Sequence, residues 1–250
     1  MKITVLGCGS IGKLWIAGLT QQAHEVQGWL RIPQPDFDVN VDSINGIPFQ
    51  QRIIANQKTW LQHSELLLVC LKSWQVSDAV NALIPHLSAD CPILLIHNGM
   101  GTLDELTLPE TPTKRAILQG IITHGAYQQD QKVLHTAEGI THIGPLNTTA
   151  RQYGYLAEIL HQALPDVAWH NDIHTISWLK LAVNCVINPL TVFYQCRNGD
   201  LLKYPEHIQK VCDEVYQVME REGVIPTSRS HLHGYIIDTI EQTANNYSSM

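Results

Sequence analysis

The segment that decides the fold is residues 2–15, K-I-T-V-L-G-C-G-S-I-G-K-L-W, in which glycines separate an apolar run from a helical pattern. Gly7, Gly9 and Gly12 stand in G-x-G-x-x-G order. Such glycines allow a tight turn and let a pyrophosphate approach the amides at the start of a helix. The triplet alone is a weak signal, because an ordinary strand-to-helix turn can carry it. With a strand before it, a helix after it and a second strand following, it predicts dinucleotide binding.

Outward from this loop, short apolar runs alternate with amphipathic ones through the first half of the chain. This alternation predicts an α/β fold with a Rossmann-like, doubly wound parallel sheet. The predicted strands are 3–6, 25–30, 66–71, 93–97, 116–121 and 139–144, and the predicted helices between them include 13–22 and 76–84. Farther on, the pattern becomes helical at 175–188, at 205–223 and from about residue 230. We therefore predict a dinucleotide-binding domain at 1–168 and an all-helical domain at 169–250.

The composition excludes several classes of protein. With 44 % hydrophobic and 16 % charged residues among 250, the chain is globular and not disordered. A formal charge of −7 argues against binding to nucleic acid or to an anionic membrane. The six cysteines form no C-x-x-C pair, and we found no uninterrupted apolar stretch of about 18 residues. We therefore expect a cytoplasmic, soluble protein that acts on a small molecule.

The end of the second predicted strand indicates which dinucleotide is bound. Arg31 stands where a site for NAD usually offers a carboxylate to the ribose hydroxyls. A guanidinium there can bind a 2′-phosphate, so the cofactor is predicted to be NADPH, unless Arg31 merely faces solvent. Lys72, Gln75 and Asn98 follow other strands and are expected at the same edge of the sheet. For Asn98, ordinary turn chemistry explains the Asn-Gly pair equally well.

An apolar helical stretch in the second half, residues 178–190, is interrupted by three polar residues. Lys180, Asn184 and Asn188 are four apart, so on a helix they share one face. Burying an amine and two amides is costly without partners, which suggests a ligand or a polar interdomain cleft. The alternative is that Lys180 extends to solvent, Asn184 bonds to another helix and Asn188 ends the helix before a proline. A dinucleotide domain followed by helices favours the ligand.

Five motifs spread over essentially the whole chain resemble the ketopantoate reductase (2-dehydropantoate 2-reductase) family. They are G-C-G-S-I-G at 7–12, L-K-S-W-Q at 71–75, H-N-G-M-G at 97–101, G-I-T-H-I-G-P at 139–145 and K-L-A-V-N-C-V-I-N-P-L at 180–190. The lysine-asparagine helix and the asparagine-glycine strand end are far more specific than the glycine triplet. The resemblance implies NADPH-dependent reduction of ketopantoate to D-pantoate, a step in pantothenate and coenzyme A synthesis.

The resemblance also implies roles for individual residues. Lys180 would be the catalytic lysine that hydrogen-bonds the keto oxygen. The substrate would be held by Asn98, Asn184, Asn188, Asn198, Asn246 and Ser249. The cofactor would be held by Gly7, Cys8, Gly9, Ser10, Ile11, Gly12, Arg31, Lys72, Gln75 and Asn98. No metal is implied, and a homo-oligomer is left open.

The chain departs from the family at its end. Members of the family continue beyond the S-S-M segment with more helix and a glutamate that contacts the substrate. Here T-A-N-N-Y-S-S-M ends at Met250 without helix-ending residues, so we expect a cut and an incomplete second domain, with reduced activity. A competing hypothesis is therefore an NADPH-binding protein with little or no catalysis.

Two further hypotheses concern the chemistry of the site. One is a related reductase that acts on another 2-keto acid or on an imine. The second is a metal pair formed by His170 and His174, which are four residues apart, although the sequence offers no evident third ligand.

Overall fold

The computed structural model describes residues 1–44, 46–107, 115–224 and 228–247. The chain divides into two compact units, Met1–Ile173 and His174–Met250. The first unit contains all the strands of the described residues, and the second is helical. The predicted fold class, a Rossmann-like sheet followed by a helical region, is therefore confirmed.

The described residues contain eleven strands and seven α-helices. The strands are β1 (Lys2–Leu6), β2 (Glu25–Trp29), β3 (Asp36–Asp42), β4 (Pro48–Ile54), β5 (Leu66–Val69), β6 (Ile93–Ile96), β7 (Ile117–Ile122), β8 (Gly125–Gln129), β9 (Lys132–Ala137), β10 (Thr141–Pro145) and β11 (Val167–Trp169). The α-helices are α1 (Ser10–Gln21), α2 (Lys58–Gln62), α3 (Ser73–Leu83), α4 (Leu156–Ala163), α5 (Ile173–Tyr194), α6 (Pro205–Arg221) and α7 (Arg229–Gln242). Three 3₁₀ segments cover Ile84–His86, Thr148–Tyr153 and Asn198–Lys203.

Seven strands form the main sheet, in the order β11-β10-β7-β6-β5-β1-β2. Strands β2, β1, β5, β6 and β7 are parallel, whereas β10 pairs antiparallel with β7. Leu6 at the end of β1 lies opposite Trp29 on one side and Val69 on the other. The segments that follow β2, β1, β5 and β6 therefore leave the sheet at one edge, where ligands of open α/β sheets bind.

Both faces of this sheet are covered, as its apolar strands require. Side chains alternate between faces along a strand, so Val5 and Leu68 join a core cluster that includes residues of α1 and α4. Leu67 and Leu95 point the other way, into a cluster with residues of α2 and α3. The central strands β5 and β6 are fully apolar because their residues are buried on one side of the sheet or the other.

A second sheet, in the order β4-β3-β9-β8, was not predicted from the sequence. Its strands contain few apolar residues; the sequence of β3, for example, is D-F-D-V-N-V-D. Val39, Val41 and Val133 are buried in the cluster that also holds α1, whereas alternate residues are more exposed. A sheet with one wet face carries a weaker apolar signal than the parallel strands do, so it was missed.

The second unit packs α5, α6 and α7 around a core that includes Val186, Ile208 and Ile236. The expectation that a helix ends at Asn188 is wrong, because α5 continues to Tyr194 with Pro189 inside it. Proline removes one backbone donor, but Pro189 is exposed and Leu190 beyond it is buried in the core, which favours continuation of the helix.

Within the described ranges, one helix, α5, is long and apolar enough to cross a membrane by length and composition. A core helix of a soluble protein passes the same test, so this is weak evidence. Val186 and Ile187 on this helix are buried in the helical core.

Candidate functional site

The loop between β1 and α1 has a shape that only glycine permits. Gly7 adopts a φ of +96°, and a Cβ there would lie 2.8 Å from the Leu71 side chain and 2.9 Å from the Cys70 backbone. A Cβ on Gly12 would lie 2.0 Å from the carbonyl oxygen of Gly7. These two glycines therefore let helix α1 start directly against strand β1.

Gly9, between them, borders open space. A Cβ added there would meet nothing within 4 Å. Gly9 is the N-cap of α1 and has no side-chain cap, while its carbonyl oxygen accepts from the Lys13 amide at 2.8 Å. The first amides of a helix have no partners within the helix, so those following Gly9 suit an anion. The loop fits the pyrophosphate of a dinucleotide through the backbone of Ser10, Ile11 and Gly12.

The Cys8 side chain packs in the interior and carries no charge. Its Sγ donates to the Val5 carbonyl oxygen at 3.6 Å, and a Cβ on Gly28 would lie 2.9 Å from that sulfur. Burial raises the pKa of the Cys8 thiol to about 12, so it stays protonated at neutral pH. Only its backbone suits a contact with a phosphate.

The predicted polar residues of the first unit all lie just beyond ends of parallel strands. Arg31 follows β2, Lys72 and Gln75 follow β5, and Asn98 follows β6, and all four are exposed. Lys72 is the N-cap residue of α3, and its carbonyl oxygen accepts from the Gln75 amide at 2.9 Å. Because β2 and β5 flank β1, Arg31 and Lys72 lie on opposite sides of the glycine loop along the sheet edge.

The turn that carries Asn98 is held by two residues that the sequence reasoning did not single out. His97 and Thr102 are each only 7 % exposed, and the His97 Nε2 lies 3.0 Å from the Thr102 Oγ1. The His97 Nδ1 lies 3.3 Å from the Asn98 carbonyl oxygen. The signal was present in H-N-G-M-G-T, where a histidine and a threonine flank a turn with two glycines.

The second unit brings together the three polar residues of α5. Lys180, Asn184 and Asn188 are half-buried on one face of the helix, and the opposite face buries Ala182 and Val186 in the helical core. Burial lowers the pKa of Lys180 to about 8. At neutral pH this amine is still mostly protonated, yet it releases a proton far more readily than an exposed lysine does.

Asn198 and Asn246 meet elsewhere in the second unit. Asn198 is 7 % exposed, and its backbone amide donates to the Asn246 carbonyl oxygen at 3.0 Å. Its Nδ2 donates to the Thr243 Oγ1 at 2.9 Å, whereas its buried Oδ1 has no partner among the described residues. Asn198 thus ties its 3₁₀ segment to the chain after α7. Ser249 lies outside the described residues.

The two histidines considered as a metal pair have separate partners. The His170 Nε2 lies 2.8 Å from the His142 Nδ1, in the first unit. In the second unit, the Trp178 indole donates to the His174 Nε2 at 3.2 Å. Across the part of the chain that the structure describes, no three His, Cys, Asp or Glu side chains are grouped to hold a metal.

Comparison with known families gives two matches that cover most of the chain. The family model described as ketopantoate reductase PanE/ApbA matches residues 3–148, and its C-terminal companion matches residues 172–250. A 2-dehydropantoate 2-reductase of Yersinia pestis is 54 % identical over 250 residues, which is 100 % of this chain and 81 % of that protein. The protein of the same name from Vibrio cholerae is 37 % identical, and the match covers 100 % of this chain and 83 % of that protein.

Solved structures share the fold. A PanE/ApbA family ketopantoate reductase from Ralstonia eutropha superposes with a TM-score of 0.83 at 23 % identity, covering 100 % of this chain and 83 % of its own. A D-mandelate dehydrogenase, solved with NADH and anilino(oxo)acetate, superposes with a TM-score of 0.82 at 18 % identity, covering 100 % of this chain and 84 % of its own. At these identities the likeness establishes the architecture alone.

Proposed function

The chain belongs to the ketopantoate reductase family, and we propose that it reduces 2-dehydropantoate (ketopantoate) to D-pantoate with NADPH, in pantothenate and coenzyme A biosynthesis. The observation that carries this proposal is 54 % identity, over the whole chain, to a protein named for that reaction. The half-buried lysine-asparagine row of α5 supports it with residue types that suit the chemistry.

In this proposal Lys180 acts on the keto oxygen. NADPH, when bound, supplies the hydride that the carbonyl carbon accepts. The Lys180 Nζ would donate a hydrogen bond to the oxygen, stabilise the negative charge that builds there, and transfer a proton to it. A pKa of about 8 suits this role, because the amine is protonated at neutral pH and gives up its proton at modest cost.

The asparagines would orient the substrate. The amides of Asn184 and Asn188, one and two turns from Lys180, can donate to a carboxylate or hydroxyl without a competing charge. Asn98, Asn246 and Ser249 would add contacts. Asn198 already uses its Nδ2 on Thr243, so its proposed role rests on its remaining oxygen.

The first unit would hold NADPH at the edge of its sheet. The backbone of the loop from Gly7 to Gly12 would receive the pyrophosphate. Arg31 would pair with the 2′-phosphate through two hydrogen bonds, as a guanidinium does best. Lys72 and Gln75, beyond the neighbouring strand β5, would serve the adenosine half, and Asn98 would reach the cofactor from β6.

The decisive assay is oxidation of NADPH by this chain with ketopantoate, followed by the absorbance of the reduced nicotinamide. We expect turnover that depends on ketopantoate and is much slower with NADH. The same assay is run with a panel of other 2-keto acids and of imines. Faster turnover of one of them would mean that it, and not ketopantoate, is the substrate. Tight NADPH binding with no turnover of any substrate would instead identify a cofactor-binding protein.

We also propose that the protein works in the cytoplasm as a homo-oligomer. A reductase of Staphylococcus aureus, 20 % identical with a TM-score of 0.70, is described as dimeric. Large apolar side chains are exposed on the second unit, among them Phe193 at 74 %. Sedimentation at micromolar concentration tests the oligomer, and a monomer that remains fully active would contradict it.

A further inference from the structure

The turn after β6 is closed by a buried histidine-threonine contact. His97 is the first residue after β6, and Thr102 follows five residues later. Between them lie Asn98 and two glycines with positive φ, Gly99 at +106° and Gly101 at +90°. Glycines with such freedom allow many turn conformations, so a fixed conformation needs contacts at both ends.

The two partners of His97 define its protonation state. The Asn98 carbonyl oxygen can only accept, so the His97 Nδ1 carries the proton. The Nε2 is then an acceptor and receives the Thr102 hydroxyl at 3.0 Å. Burial lowers the pKa of His97, which keeps the ring neutral and this tautomer populated at neutral pH. One imidazole thus bridges the start and the end of the turn.

The turn also packs on the start of α3. A Cβ on Gly99 would lie 3.4 Å from the Ser73 Cβ and 3.6 Å from its Oγ. Ser73 stands next to Lys72, which, like Asn98, has a proposed ligand role. The conformation of the turn therefore sets where Asn98 lies relative to the first turn of α3.

We propose that His97, through its hydrogen bond with Thr102, is a positioning residue that fixes the 98–101 turn and so presents Asn98 for the reduction. This inference rests on the proposed function, in which Asn98 contacts substrate and cofactor. Neither His97 nor Thr102 acts on the reacting atoms. Their effect is to remove the alternative conformations that the two glycines would otherwise populate.

The kinetic test uses Thr102→Val, which keeps the branched shape and removes the hydroxyl, and Thr102→Ser, which retains the hydroxyl. We expect Thr102→Val to lower kcat/KM for ketopantoate by about tenfold, and Thr102→Ser to recover most of it. Thr4→Val is the matched control, because Thr4 is also buried and its Oγ1 lies 2.6 Å from the Ser64 Oγ. Thr4→Val should lower the Tm and leave kcat and KM unchanged. Equal kinetics in Thr102→Val and wild type would overturn the proposal.

A second measurement does not depend on turnover. The nitrogen chemical shifts of His97, assigned with a His97→Gln variant, report its tautomer in the ligand-free protein. We expect the Nδ1-protonated form in wild type and in Thr102→Ser. In Thr102→Val we expect the turn to loosen, which shifts the amide resonances at 98–101 and, as the Asn98 carbonyl oxygen moves from the His97 Nδ1, gives a mixture of tautomers. A wild-type His97 protonated on Nε2 would contradict the inference even if the protein reduces ketopantoate. The expected tautomer in a protein that does not turn over ketopantoate would refute the proposed function and leave the His97 contact intact.

Discussion

The glycine loop of the first unit and the polar row of α5 in the second unit are proposed to bind their ligands in opposite ways. The loop works through missing side chains: Gly7 and Gly12 have no room for a Cβ, and Gly9 leaves open space. The row works through side chains that Lys180 and its two asparagines carry on an otherwise regular helix. Adding atoms should therefore damage the first region, whereas removing polar groups should damage the second.

Because of this difference, the glycine loop and the polar row give different information about function. A loop made of glycines serves any dinucleotide enzyme, so it predicts a fold and a cofactor class. An amine and two amides at fixed spacing suit a small polar acid with a carbonyl oxygen, so they indicate a reaction. Variants in both regions can separate backbone effects from side-chain effects.

The largest effect is expected from Lys180→Met, which keeps the chain length and removes the charge. We expect kcat for ketopantoate to fall by about 10²–10⁴-fold, because the keto oxygen loses its proton donor. Binding of NADPH, measured by fluorescence titration, should stay close to wild type. Lys210→Met, an exposed lysine on α6, is the control and should keep full activity. Full activity of Lys180→Met would contradict the proposed role of Lys180 in catalysis.

The next largest effect is expected at Arg31, the side chain proposed to bind the 2′-phosphate of NADPH. Arg31→Ala should weaken NADPH binding by about 1.5–3 kcal/mol, roughly ten- to a hundredfold, because a charged hydrogen-bond partner of the 2′-phosphate is lost. Affinity for NADH should be unchanged. Arg52→Ala, an exposed arginine paired with Asp36 on the second sheet, should affect neither cofactor. Calorimetric titration with both nucleotides measures the ratio, and equal losses for both would contradict the assignment of Arg31.

Two glycine variants test the backbone side of the comparison. Gly12→Ala should lower the free energy of unfolding by about 1–3 kcal/mol, since its Cβ would lie 2.0 Å from the Gly7 oxygen. Gly9→Ala should cost less stability than Gly12→Ala, since alanine is only a poorer N-cap residue there, and it should weaken NADPH binding because its Cβ would enter the open space beside the loop. Urea unfolding and NADPH titration on both variants give the answer. Unchanged NADPH affinity in Gly9→Ala would mean that the ligand lies elsewhere.

The smallest effect concerns acid stability of the first unit. Burial, with His135 as a neighbour, lowers the pKa of His124 from 6.5 to about 4, whereas Asp166 opposes the shift. Folding thus favours the neutral ring, so this stability is present above pH 6.5 and is lost as the pH falls towards 4. In His124→Gln the loss of stability over that interval should be smaller, as urea unfolding at several pH values would measure. His86→Gln, at an exposed position, should keep the wild-type pH dependence.

Much of the main sheet could be predicted, because strands buried on both faces must be apolar and their helices amphipathic. The central parallel strands followed from this rule, whereas the glycine loop followed from its G-x-G-x-x-G spacing. The second sheet was missed because half of each strand faces water, and the helix end at Asn188 was wrong because burial of Leu190 outweighs the break at Pro189.

The residue types of the candidate site could be predicted from the sequence, whereas the hydrogen bonds between its residues could not. The row of Lys180, Asn184 and Asn188 followed from helical spacing, and the structure places all three on one helix face. The bond from Asn198 to Thr243 joins residues 45 positions apart, and no local pattern announces it. The roles of all these residues stay predictions until variants are assayed.

The pH dependence of ketopantoate reduction tests the central claim most directly, because it reports the protonation of the one group proposed to act on the keto oxygen. With Lys180 protonated below a pKa of about 8, the rate of NADPH oxidation should hold near neutral pH and fall above that value. The residual rate of Lys180→Met should lack this fall. A wild-type rate that stays level well above pH 8 would contradict Lys180 as the proton donor.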